Sequence, residues 1–161
     1  MYGQAPGIVE GEERRPWRGR AGQTLRRWLD LDEDAFYATF YCASVTRCYP
    51  GRSSSGSGDR VPTPEERRLC SFWFEWELRL LQPDLIVAVG GLAIRRFLPS
   101  RSLSDCIGTS VERAGATVVP LPHPSGVSRW PNAPANRALL EAAVGLIHAR
   151  LGRGGGTEPR G

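Results

Sequence analysis

Apolar residues recur along this chain in two rhythms. Residues 84–90, Asp-Leu-Ile-Val-Ala-Val-Gly, are apolar at consecutive positions, as a strand covered on both faces must be. Residues 117–121, Thr-Val-Val-Pro-Leu, repeat that pattern, and residues 41–46 read as a further buried strand. Elsewhere the spacing becomes helical. Leu25, Trp28 and Leu29 share one face of a helix over residues 20–31, and Asp32 or Glu33 starts a short helical turn through Phe40. Thr63-Pro64-Glu65-Glu66 is a strong helix start, with Thr as cap, Pro in the first turn and Glu three residues after the cap. That helix is expected to reach about Gln82 and to bury Leu69, Phe72, Trp73, Trp76 and Leu80. A short helix over residues 91–98 and a last one over residues 133–151 complete the pattern. Residues 1–19 and 48–62 are rich in Gly, Pro, Ser and charge and read as loops, and residues 152–161 as a disordered tail.

Strands alternating with helices at this pitch predict an α/β fold, a three-layer α/β/α sandwich around a mainly parallel sheet of roughly four strands. One domain spans residues 1–151. Ligands in such sheets bind beyond the carboxyl ends of the strands. Gly3-Gln4-Ala5-Pro6-Gly7 has the form of a turn that follows a strand, yet only Met1 and Tyr2 precede it. The first strand is therefore expected to be missing, leaving an unpaired edge or a hole in the sheet.

At 161 residues and 40% hydrophobic content, the chain is long enough to bury one sizeable core. No apolar run approaches the ~20 residues that span a bilayer, and the N-terminus lacks a signal layout, so a cytoplasmic monomer without a membrane partner is expected. All 21 basic residues are Arg, and the net charge is +4. Arg14, Arg15, Arg18, Arg20, Arg26 and Arg27 crowd one early segment that would suit a polyanion. Four cysteines without a CxxC pair give free thiols or an incomplete metal site rather than disulfides.

The chemistry concentrates after the strand at 117–121. Pro122-His123-Pro124 ends it, and Ser125-Gly126-Val127-Ser128-Arg129 follows. One exposed loop thus carries an imidazole, two hydroxyls, free backbone N–H groups and a guanidinium, which equips it to hold a polar ring and a phosphate.

With Gly3-Gln4-Ala5-Pro6-Gly7 near the start and His123-Pro124-Ser125 near the end, the chain resembles the uracil-DNA glycosylase superfamily, closest to its bacterial iron-sulfur branches, families four and five. The first motif there continues through an acidic residue to Pro-Phe, a Gly and Arg-Ala-Gly, matched here by Glu10, Pro16-Trp17, Gly19 and Arg20-Ala21-Gly22. Val45-Thr46-Arg47-Cys48-Tyr49-Pro50 and the segment from Pro62 to Cys70 also agree, and four short motifs in the right order are specific.

The resemblance implies a monofunctional enzyme that hydrolyses the N-glycosidic bond of uracil or another deaminated base in DNA, starting base excision repair. His123 would donate an N–H to uracil O2, where charge develops. Trp17 would stack on the extruded base, with Gly3, Ala5, Pro6, Gly7 and Ser44 around it. Val127 would enter the vacated stack, while Ser125, Gly126, Ser128 and Arg129 grip flanking phosphates. Gln4 stands where relatives carry Glu, Ala5 where others carry Asp, and Ser44 where many have Asn. An amide cannot act as a general base, so either Gln4 orients a water or another carboxylate such as Glu10 activates it. Cys48 and Cys70 match two of the four thiolate ligands of a [4Fe–4S] cluster, whose other two normally lie upstream. The usual cluster is therefore expected to be absent or incomplete here. A chain that naturally starts about 40 to 60 residues earlier, roughly one βα unit plus the ligand pair, would explain both gaps. A truncated gene product is the other explanation. A catalytically weak or inactive DNA-binding homologue and a phosphate-binding α/β protein remain the competing function classes.

Overall fold

A computed structural model describes residues 1–56, 58–99, 103–113, 115–126 and 130–152. Among the described residues five strands form one sheet in the order β2-β1-β3-β5-β4: β1 (Tyr2–Gly3), β2 (Ala43–Ser44), β3 (Leu85–Val89), β4 (Val111–Arg113) and β5 (Ala116–Leu121). All pairings are parallel except β4 with β5. The sheet thus has one strand more than expected. The antiparallel edge strand Val-Glu-Arg is too short to show a period.

The missing first strand is also corrected. Tyr2 and Gly3 lie inside the sheet as its second strand, Tyr2 opposite Ala43 on one side and Ala88 on the other. Backbone pairing continues past the strand ends, Ala43 N–H to Met1 O at 2.9 Å, Val45 N–H to Gly3 O at 3.0 Å and Thr46 N–H to Gln4 O at 3.2 Å. Hydrogen bonds from both neighbours make a strand from residues too few to specify one alone.

The helices are α1 (Ile8–Glu13), α2 (Arg20–Trp28), α3 (Glu33–Thr39), α4 (Pro64–Leu81), α5 (Gly91–Phe97), α6 (Leu103–Cys106) and α7 (Pro134–Arg150). Asp32 caps α3 by accepting from Ala35 N–H at 2.7 Å, and Thr63 and Glu66 form the expected capping box of α4. Residues 8–13, read as loop, are helical instead: Glu10 Oε2 accepts from Gly7 N–H at 3.1 Å and holds the first turn. One helix layer contains α4 and α5, where Phe74 meets Phe97 and both meet Tyr2 edge-on. The other contains α2 and α7, joined where His148 Nε2 lies 2.9 Å from Leu29 O.

The orientation of α4 overturns one expectation. Phe74, Leu78 and Glu77 turn inward, while Leu69, Phe72, Trp73, Trp76 and Leu80 are 62, 56, 43, 53 and 72% exposed. The helix carries apolar residues on more than one face, and the inward face is chosen by Glu77. That buried carboxylate accepts from Tyr2 Oη at 2.9 Å and Tyr41 Oη at 2.5 Å and pairs with Arg47, so it ties α4 to β1 and to the segments flanking β2. Desolvation pushes its pKa up, and the hydrogen bonds from Arg47, Tyr41 and Tyr2 together outweigh it and hold the carboxyl below the usual range.

Gly22 fixes the loop that precedes α2. A Cβ there would lie 1.6 Å from the Trp17 carbonyl oxygen, and Trp17 itself sits in the left-handed region at φ 60°. Gly22→Ala is therefore expected to shift the Trp17 backbone and to cost about 1–3 kcal/mol, measured as a lower midpoint in chemical denaturation. An unchanged midpoint would show that this close approach is not required.

Candidate active site

The carboxyl ends of β1, β2, β3 and β5 surround a cavity of about 310 Å³, lined among others by Gly3, Gln4, Ala5, Pro6, Gly7, Trp17, Ser44, Asp59 and His123. All the residues singled out from the first motif thus meet His123 in one place. A larger groove of about 660 Å³ opens elsewhere, but its lining holds no Asp, Glu, His, Ser or Cys. The smaller cavity has the chemistry.

His123 follows β5 directly and packs on Gly90 at the end of β3. A Cβ on Gly90 would lie 3.0 Å from His123 Cδ2, and φ is 84° there, so the position demands glycine twice over. Ser125 N–H donates to His123 Nδ1 at 3.2 Å. With Nδ1 accepting, the proton of the neutral ring resides on Nε2. Burial pushes the imidazole below its ordinary range, and the nearby Asp59 carboxylate opposes that without reversing it. His123 is thus a neutral N–H donor.

Trp17 reaches the cavity across Gly3, whose missing side chain is what lets the indole lie there: a Gly3 Cβ would meet Trp17 Cζ2 at 2.8 Å. The Trp17 and His123 ring centroids are 6.5 Å apart and tilted by 45°. Arg26 Nη1 donates to Trp17 O at 2.9 Å and fixes the loop from behind. Ser44 donates its hydroxyl proton to Thr46 O at 2.6 Å, which leaves it only as an acceptor toward the cavity. Gln4 lines the cavity with no side-chain hydrogen bond to the described residues.

Glu10 lines the cavity too, but both of its carboxylate oxygens are engaged. Its Oε2 accepts from Gly7 N–H and its Oε1 from Gly19 N–H at 2.9 Å, so the carboxylate braces two loops. A second carboxylate, which the sequence did not single out, also lines the cavity: Asp59, from the Ser/Gly-rich loop. Its Oδ1 accepts from Tyr49 Oη at 3.0 Å, and its Oδ2 lies 3.4 Å from where Gly7 would carry a Cβ. An antiparallel bridge between Arg52 and Asp59 folds the loop so that it points there. A lone acid within a run of serines and glycines was the one available signal.

The early arginines prove partly structural. Arg15, Arg18 and Arg26 all pair with Glu33, and Arg18 also with Glu13 at 2.5 Å. Arg14 lines the cavity. Ser125 and Gly126 follow His123 on its loop, whereas Val127, Ser128 and Arg129 lie outside the described residues, as do residues 153–161. Trp130 opens a 3₁₀ turn and accepts from Asn136 Nδ2 at 2.8 Å, so it covers the start of α7.

Cys48 is exposed and Cys70 half-buried, and the described residues gather no group of three or more His, Cys, Asp or Glu side chains placed to hold a metal. These residues do not fit a four-thiolate cluster. Cys42, which lines the cavity, has its thiol pushed up to about 11 by burial and stays protonated. No described helix is long and apolar enough to cross a membrane.

Comparison with known proteins agrees with this geometry. The family model of the uracil DNA glycosylase superfamily matches residues 1–145. A type-4 uracil-DNA glycosylase from Thermotoga maritima is 30% identical over 144 residues, 88% of this chain and 71% of that protein. A protein of the same name from Archaeoglobus fulgidus is 27% identical over 94% of this chain and 68% of its own length, and one from Pyrobaculum aerophilum 27% identical over 71% and 52%. The cavity on the carboxyl edge of the sheet, the glycine-rich loop and the histidine that follows β5 are thus found in a chain that belongs to the uracil DNA glycosylase superfamily.

Proposed function

We propose that this chain hydrolyses the N-glycosidic bond between deoxyribose and uracil, or another deaminated base, in DNA, acting as a monomer in the cytoplasm. The observation that carries the reading is the pairing, in one small cavity, of a neutral His123 donor with the Asp59 carboxylate. Each suits one end of the reaction.

As the bond from C1′ to the base breaks, its electron pair leaves with uracil and negative charge grows on the ring oxygens. The Nε2–H of His123 would stabilise that charge, and a neutral donor loses no proton to the departing anion. Trp17 offers its face to the extruded base, and Ser44 can accept from the base edge. The sugar, now cationic at C1′, takes the oxygen of a water whose proton passes to Asp59. Gln4 would orient that water. This division of labour removes the apparent lack of a general base, since the carboxylate comes from the loop after Cys48 rather than from the first motif. Ser125, Gly126, Val127, Ser128 and Arg129 would hold the strand on either side.

Incubation with a uracil-containing oligonucleotide followed by alkali is expected to cut the strand at uracil, and intact DNA at high protein excess would sink the reading. His123→Ala is expected to slow excision by about 10²- to 10³-fold under single-turnover conditions, and a variant as fast as the parent would remove the role given to that ring. Asp59→Ala should lower the same rate by about 100-fold with little change in DNA affinity, and Asp59→Asn separates proton transfer from water positioning, since only the former is lost in the amide. Stability carries a further signature. The unfolded chain protonates His123 near its ordinary value of 6.5, whereas the folded chain resists until lower pH, so the residue costs stability as pH falls below that point. The thermal midpoint of the parent should therefore drop more between about pH 7 and about pH 5 than that of His123→Asn, and parallel curves would contradict a buried neutral imidazole.

A further inference from the structure

A second cavity of about 210 Å³ lies between α4 and α5, lined by Val45, Arg67, Ser71, Phe74, Leu92, Arg95 and Arg96. We propose that it is a phosphodiester site, which takes a backbone phosphate of the same DNA strand whose base enters the His123 cavity; the proposal rests on the glycosylase reading. Three observations lead there.

The first is charge. Three guanidiniums converge on this cavity, and among the described residues no carboxylate lines it. Arginines that brace the fold here have acidic partners: Arg18 and Arg26 with Glu33, Arg47 with Glu77, Arg60 with Glu66, Arg68 with Glu65. Arg67 instead donates its Nε to the Thr63 carbonyl at 3.3 Å, and among the described residues neither Arg67 nor Arg95 forms an ion pair. Arg96 has a partial counter-charge in Glu75 at 3.9 Å and lies over the Phe74 ring, 4.2 Å from its centroid.

The second is the posture of Arg95. Its Nη1 lies 3.2 Å from where Gly91 would carry a Cβ, so the guanidinium folds back along its own helix instead of extending into solvent. A bare glycine makes that posture possible. The result concentrates positive charge opposite Arg67, an arrangement that favours a bound anion over an empty cavity.

The third is position. Ser44 lines the His123 cavity and the adjacent Val45 lines this one; Gly90 packs against His123 and the adjacent Gly91 lies under Arg95. The two cavities are therefore neighbours along the carboxyl edge of β2 and β3, where a strand seated in one would pass the other. Phosphodiester chemistry matches the equipment: a single negative charge with two acceptor oxygens facing planar, forked donors.

The test is the salt dependence of DNA affinity. Binding of a uracil-containing oligonucleotide is followed by fluorescence anisotropy from about 50 to about 200 mM salt, for the parent, for Arg67→Gln/Arg95→Gln, and for Arg79→Gln/Arg113→Gln as a control that removes two charges from the larger groove. The first double variant is expected to flatten the slope of log affinity against log salt by about 0.7 to 0.9 for each phosphate no longer neutralised, while the control keeps the parent's slope. A parental slope in Arg67→Gln/Arg95→Gln, or an equal flattening in the control, would overturn the phosphate site and leave the glycosylase reading standing. A parent that binds DNA but excises nothing would do the reverse. The single variants Arg67→Gln and Arg95→Gln, each checked for a parental thermal midpoint, keep the test decisive if the double variant misfolds.

Discussion

The structure depends on the seating of two residues, Tyr2 and Gly3, between β2 and β3. A strand this short contributes few ladder hydrogen bonds of its own, so its position has to be secured from the side. Glu77 does this through Tyr2, Tyr41 and Arg47 at once. A buried carboxylate with three donors is costly to remove, because the buried Tyr2 hydroxyl would be left without an acceptor away from water. From this point the rest follows in space. Gly3 is held where the Trp17 indole can lie on it, and the turn that begins with Gln4 is aimed over the carboxyl edge of the sheet.

The two chemical groups of the cavity are tuned by different means. Burial keeps His123 neutral, and a backbone N–H selects its tautomer. Asp59 stays exposed, held by a tyrosine hydroxyl on its own loop. The imidazole is thereby buried, whereas the carboxylate remains in contact with water. Both follow from which element delivers each residue, a strand end for the histidine and a surface loop for the acid.

Much of this was legible in the sequence. The capping box at Thr63 and the apolar runs of β3 and β5 are local signals, and the helix and strands appear where they predict. The position of His123 after β5 is legible for the same reason. What escaped depends on tertiary contacts. β1 is a strand only because residues 43–46 and 88 pair with it, and α1, Ile-Val-Glu-Gly-Glu-Glu, is too short and glycine-interrupted to show a period. Periodicity marked an apolar stripe on α4 but could not tell that Phe74 and Leu78 face the sheet while Trp73 and Trp76 face outward. Asp59 reaches the cavity through the folding of a low-complexity loop, for which no local rule exists.

The order of the strands also sets a sequence of events. β1, an interior strand, precedes every other strand in the chain, yet its partners are residues 43–44 and residue 88, so it cannot be enclosed until the chain through β3 is available. Pairings of this span close slowly, since loop entropy is lost before any contact is gained. The turn from Gly3 to Gly7 is thus held by two strands that both come after it in the chain. In this protein the cavity is thus a record of assembly: Gly3 to Gly7 and His123 meet there only once β1, β3 and β5 stand side by side.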